Sequence, residues 1–202
     1  MSSSVAATRS PSQATTPPLK SLAVLSDCLR DASTAADAEA ALYVINKALS
    51  ETLGDRQAHL AAGNLKDGET QQFACGAFFL SEDGKENVLI GPVNYHPDQK
   101  NMRIDATLGH PGWIVANQKP LILPNTDREP SFVKILRTFR AGSVVYAPIF
   151  WGGKFLGQII CASQARNVMS QVDLDTLEVA CRLAGMVWAA HQGDAYLRQL
   201  ES

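Results

Sequence analysis

Val144-Val145-Tyr146-Ala147-Pro148-Ile149-Phe150 and Phe155-Leu156-Gly157-Gln158-Ile159-Ile160-Cys161-Ala162 are the two most hydrophobic stretches of the chain, and Trp151-Gly152-Gly153-Lys154 separates them. Each run has the length and the β-branched and aromatic content of a buried strand. Paired glycines supply the positive φ values that a tight hairpin turn demands. A strong hairpin follows, expected at the centre of an antiparallel sheet.

Upstream, Cys75 to Leu80 reads as a strand, Ser81-Glu82-Asp83-Gly84 as its turn and Val88 to Val93 as the return strand. After a loop through His96-Pro97-Asp98, residues Met102 to Ala106 alternate apolar and charged side chains and extend this hairpin to a three-stranded meander. Gly109-His110-Pro111-Gly112 opens a short helix, Trp113 to Asn117, which precedes a strand at Leu121 to Leu123 and the loop Pro124-Asn125-Thr126-Asp127. Phe132, Ile135, Leu136 and Phe139 fall at i, i+3, i+4, i+7 and predict another helix.

Helices close both ends. Leu22, Leu25, Cys28 and Leu29 recur at helical spacing, and Leu42, Ile45, Leu49 and Leu53 form a second stripe that Gly54 stops. Ser170-x-x-Asp173 is an N-cap signature, since the Ser hydroxyl accepts a free backbone N–H and the acid faces the positive helix end. The helix it starts carries Leu174, Leu177, Cys181, Ala184, Val187, Trp188 and His191 on one stripe. Residues 1–18 hold few large apolar side chains and end in Pro17-Pro18, the composition of a solvated tail, so one domain is expected over residues 19–202.

Composition excludes several functions. Of the 202 residues 46% are hydrophobic and 19% charged, with a formal net charge of -2, which gives no electrostatic case for nucleic acid or an anionic membrane. No apolar run reaches the roughly 18 residues of a membrane span. Cys28, Cys75, Cys161 and Cys181 are scattered without a C-x-x-C pair, which suits a reducing, cytoplasmic setting, and each reads as a small buried hydrophobe. His96 and His110 lie in separate loops with no acid or Cys at ligand spacing, so no metal site is assigned and no cofactor is named. No G-x-S-x-G, P-loop or H-E-x-x-H motif occurs.

The order of these elements resembles the GAF domain. Gly109 to Asn117 is similar to the family's glycine-bounded short helix, and Lys119 to Asn125 to the strand after it. Gly142 to Ile149 is similar to its proline-ended strand, and Gly153 to Ile159 to its return strand. The likeness runs over roughly residues 36–192. It implies an α+β fold: a six-stranded antiparallel sheet with the N- and C-terminal helices on one face and a ligand pocket on the other. The pocket walls would come from Tyr95 to Phe139 and from the strand Ser143 to Phe150. Within them, Tyr95, His96, His110, Trp113, Asn125, Asp127, Phe132, Arg140, Ser143, Tyr146 and Trp151 are the candidate ligand contacts, aromatic surface with a few orienting polar groups. Arg140 and the tryptophans favour a small anionic or aromatic ligand.

The resemblance also frames the expected activity. The family's free methionine-R-sulfoxide reductases place a catalytic thiol in the turn where this chain has His110-Pro111, so no catalytic residue is assigned. A bilin needs a Cys followed by His, which is absent, and the cyclic-nucleotide signature is not intact. The expectation is a cytoplasmic small-molecule sensor in signal transduction that acts through a partner protein or through a homodimer of its terminal helices. A ligand-free dimerisation module is the alternative.

Overall fold

A computed structural model describes residues 19–200. The expected tail at residues 1–18 lies outside the described residues. Helices α1 (Leu19–Ser33) and α2 (Ala38–Thr52) lead into strands β1 (Phe73–Leu80), β2 (Glu86–Val93) and β3 (Arg103–Asp105). Helix α3 (Gly109–Asn117) and strand β4 (Leu121–Leu123) follow, then β5 (Ser143–Trp151), β6 (Lys154–Ser163), α4 (Gln171–Ala190) and α5 (Gly193–Gln199). The strands make one antiparallel sheet in the order β3-β2-β1-β6-β5-β4.

Strand alternation sorts the core into two layers. Cys75, Ala77 and Phe79 of β1, Val145, Ala147 and Ile149 of β5 and Ile159 and Cys161 of β6 face a layer closed by α1, α2 and α4. Ala74, Phe78, Val144, Tyr146, Ile160 and Ala162 face the other way, under Ile114 of α3 and the segment carrying Leu136 and Phe139. The period of two on the strands is thus what separates the helical side of the sheet from the side that bears the site.

Local signals explain the helix ends. The Asp37 carboxylate accepts from Ala40 N at 2.8 Å and starts α2. Ser170 and Asp173 form the reciprocal capping box that starts α4, and Asp173 also accepts from Gly54 N at 2.7 Å, which ties the end of α2 to the start of α4. Gly152 and Gly153 take φ of 56° and 79° in the β5–β6 turn, as the paired glycines require.

Three expectations are corrected. The central pair of the sheet is β1–β6, because β1 docks on the outer side of the β5–β6 hairpin and leaves β5 one strand from the edge. The closing helix stops at Ala190 and resumes as α5 after Gln192 takes φ 53°. There the ring of Trp188 stacks on Phe79 at 3.7 Å, and its Nε1 donates to Asp194 Oδ1 at 2.9 Å. Residues 132–139 form no helix but an irregular strap. Val133, Ile135 and Thr138 are β-branched and weaken helix formation. Buried Gln99 then competes for the backbone, accepting from Arg137 N and donating to Ile135 O, both at 2.9 Å. Leu136 and Phe139 still point into the core, so the apolar stripe was read correctly and its backbone was not.

Candidate binding cavity

The strap closes over the outer face of the sheet and leaves a cavity of about 30 Å³, room for roughly two water molecules. Its floor is Phe78, Val144, Tyr146, Ile160 and Ala162 from the three strands β1, β5 and β6. Phe132, Ile135, Leu136, Phe139 and Ala141 form the roof, and Tyr95 closes one end. Tyr95 can lie against the sheet because β1 carries Gly76 there. A Cβ at that position would stand 2.6 Å from Leu89 Cδ1 and 3.2 Å from the Tyr95 hydroxyl. Tyr95 also borders two open grooves beside α2, so one side chain separates the cavity from solvent on that flank.

Two polar side chains outside this lining, His110 and Gln158, meet at α3. His110, in the first turn of α3, has its ring 5.9 Å from that of Phe132 and 6.2 Å from that of Tyr146. Its Nδ1 is buried and without a hydrogen-bond partner. Gln158 on β6 donates from Nε2 to Pro111 O at 3.0 Å, while its buried Oε1 has no partner. Burial lowers the His110 pKa against a weaker opposing pull from Glu129, so the imidazole is neutral at pH 7. Burial likewise pushes the Tyr95 and Tyr146 hydroxyls up, which keeps both protonated.

Of the expected site residues, Tyr95, Phe132 and Tyr146 line the cavity, and His110 adjoins it. Five stand elsewhere. Ser143 is turned to the helical side, where its Oγ accepts from Met169 N at 3.1 Å. Trp151 is half exposed at the hairpin tip, Trp113 is exposed on α3, and Asn125 caps the turn at 126–128 by accepting from Asp127 N at 3.0 Å. His96 accepts from Asp98 N at 3.3 Å and borders an outer groove.

Asp127 and Arg140 belong to a charge cluster at the rim. Buried Arg166 donates from Nε to Asp127 Oδ2 at 2.9 Å and from its two terminal nitrogens to Glu69, while Lys66 Nζ lies 2.8 Å from Asp127. The Lys66 hydrogen bond, helped by Arg166, holds the Asp127 carboxyl down to about 2. Arg140 lies 3.5 Å from Asp127 and 5.1 Å from the Phe132 ring, so its charge already has a carboxylate. The cluster pins residues 64–69, 127 and 166 together. Among the described residues, no group of three His, Cys, Asp or Glu is placed to hold a metal ion.

Reading the sequence missed Phe78, Gly76, Ile160, Gln99 and Gln158. The strand alternation of β1 and β6 marks Phe78 and Ile160, and a lone amide in the apolar run of β6 marks Gln158; no local pattern singles out Gln99.

Comparison with known proteins agrees with this architecture. No curated protein matches the sequence. The GAF domain of an Acinetobacter phosphoenolpyruvate-protein phosphotransferase superposes with a TM-score of 0.69 at 13% identity, covering 87% of this chain and 96% of that one. The corresponding domain from Coxiella burnetii gives 0.67 at 19%, covering 88% and 98%. A free methionine-R-sulfoxide reductase from Neisseria meningitidis, solved with its substrate, gives 0.66 at 17%, covering 86% and 90%. These likenesses show the fold. The sequence itself matches the GAF domain over residues 37–188, and the chain belongs to the GAF domain family.

Proposed function

We propose that this protein is a small-molecule-binding regulatory domain whose ligand occupies the space between α3, the sheet and the strap. The observation that carries the reading is a pair of buried, unpartnered acceptor-capable atoms at α3: His110 Nδ1, on a ring 5.9 and 6.2 Å from those of the cavity-lining Phe132 and Tyr146, and Oε1 of Gln158, whose Nε2 donates to Pro111 O. Leaving such atoms unsatisfied costs roughly 1–3 kcal/mol each, and a ligand offering an N–H or O–H recovers it. Arg140 is engaged by Asp127 and the tryptophans stand away from the cavity, so the preference moves from an anion to an uncharged polar aromatic compound. Binding rather than catalysis is favoured by the thiols: Cys75 and Cys161 face the helical layer with Cys181, and Cys28 lies in α1. A reductase of the Neisseria type is therefore not our reading, and a cytoplasmic, signalling role through a partner or dimer remains part of the proposal.

A cavity of only about 30 Å³ favours a second reading, in which the site stays closed and the domain is a scaffold. Native mass spectrometry of the purified protein, joined to a thermal-shift screen of neutral nitrogen heteroaromatics, separates the two. A bound mass or a shifted midpoint that His110→Ala and Gln158→Leu both remove supports the sensor. An empty protein that no compound shifts leaves the scaffold.

A further inference from the structure

Cys75 and Cys161 are directly opposed in the register of β1 and β6, the central strand pair. Their Sγ atoms are 2.8 Å apart although the residues are 86 positions apart in sequence. Both are buried. Opposed residues of an antiparallel pair have Cα atoms about 4.5–5.5 Å apart, within the range a disulfide spans without backbone movement. The surroundings also select the pair. Cys181 Sγ is directed to Ala147 O at 3.3 Å on β5, and Cys75 is backed by Asn46 Oδ1 at 3.8 Å on α2.

We propose that Cys75 and Cys161 are a modification site, a dithiol that a hydroperoxide converts reversibly to a disulfide across the middle of the sheet. The Sγ of one cysteine, as thiolate, attacks a peroxide oxygen. The O–O bond breaks, and the leaving oxygen departs as water or alcohol with the proton, giving a sulfenic acid. The other Sγ attacks that sulfur, the S–O bond breaks, and a second water leaves with the remaining thiol proton. The two thiols lose two electrons, which reduce the hydroperoxide, and a small dithiol reverses the step by exchange. Burial and the neighbouring thiol push Cys75 up, so the thiolate is scarce and the reaction is slow. Sustained oxidation drives it and a brief pulse does not. Cys75 lies between Ala74 and Gly76, and Cys161 between Ile160 and Ala162, residues whose side chains or open positions face the cavity side. A bond between the sulfurs therefore tightens the strands that form the cavity floor.

The test exposes native protein to hydrogen peroxide overnight, then unfolds it in urea with iodoacetamide and counts adducts by mass. The expected result is two alkylated cysteines in place of four, a linked peptide pair containing Cys75 and Cys161, and recovery of four adducts after dithiothreitol. Cys75→Ser and Cys161→Ser each abolish the linkage, while Cys28→Ser and Cys181→Ser retain it. Amide exchange at 74–76 and 160–162 slows in the oxidised protein. Four adducts after native exposure, a linkage that forms only in urea-unfolded chains, or a bond that uses Cys28 or Cys181 overturns the proposal.

Discussion

Gly76 shows how one missing carbon makes room for the site. Tyr95 occupies the space that a side chain at 76 would need, and Leu89 crowds it from the neighbouring strand. Gly76→Ala is expected to lower stability by about 1–3 kcal/mol through overpacking in urea unfolding. It also turns Tyr95 outward, which a rise in tyrosine accessibility would report; an unchanged midpoint would show that Leu89 gives way instead. Asp127 makes a second prediction at this scale. Its folded pKa lies near 2, below the unfolded value of about 4, and Glu69 is also lowered. A depressed carboxylate stabilises the fold above its unfolded pKa and loses that contribution as pH falls through its folded pKa. Wild type should therefore exceed Asp127→Asn in stability at pH 6, and the gap should close between about pH 4 and pH 2. A gap independent of pH would mean that the Arg166 cluster acts by shape rather than charge.

At the scale of elements the strap is held by little backbone bonding of its own. Gln99 behaves as a one-residue strand, giving a donor and an acceptor to Ile135 and Arg137, and Thr138 Oγ1 adds one bond to Asn94 O at 3.2 Å. Gln99→Ala removes the two hydrogen bonds to the strap, with a weaker one to Met102 Sδ, and is expected to cost about 2 kcal/mol. Amide exchange over 132–139 should quicken at least tenfold while β1 and β6 stay protected. Equal protection in the variant would assign the strap's closure to Leu136 and Phe139 alone. The same element shows how far sequence reaches. Helical spacing correctly turned Phe132, Leu136 and Phe139 inward, yet spacing does not see a distant amide that outcompetes the helix. Strand runs and caps were legible because their causes are local: Gly152-Gly153 in the turn, Ser170 and Asp173 at the start of α4. Ser143, expected in the pocket, stands on the helical side, although strand parity carried the signal, since its parity is that of Val145 and opposite to Tyr146. Which strand would take the centre of the sheet was not legible, because that depends on where β1 docks. Trp113 and Trp151 misled because aromatic size alone does not say which way a side chain faces.

On the scale of the whole molecule the question is whether the terminal helices are an interface or part of the core. Their apolar stripes are spent within the chain: Leu25, Cys28 and Ala32 of α1 pack with α2 and α4, and Leu174 to Trp188 of α4 cover the sheet. His191 Nε2 meets Ala32 O at 3.0 Å and ties the two ends together. A dimer through these helices must use what they leave outside, such as Met186, half exposed on α4. Removing residues 1–35 separates the two roles. Among the described residues, the buried Leu25, Cys28 and Ala32 and the contacts of Leu29 and Ala35 are lost, a cost of about 3–5 kcal/mol against a domain stability of roughly 5–15 kcal/mol. The expected outcome is a truncated protein with a much lower urea midpoint and faster amide exchange on the helical side of the sheet. Sedimentation velocity on the same samples reads the association state directly. If the truncated chain keeps its midpoint and loses only self-association, α1 is a detachable interface and a signal can leave the domain by releasing it. If the midpoint falls instead, α1 is structural, and movement of the strap must reach a partner through β1, β6 and the helices that rest on them.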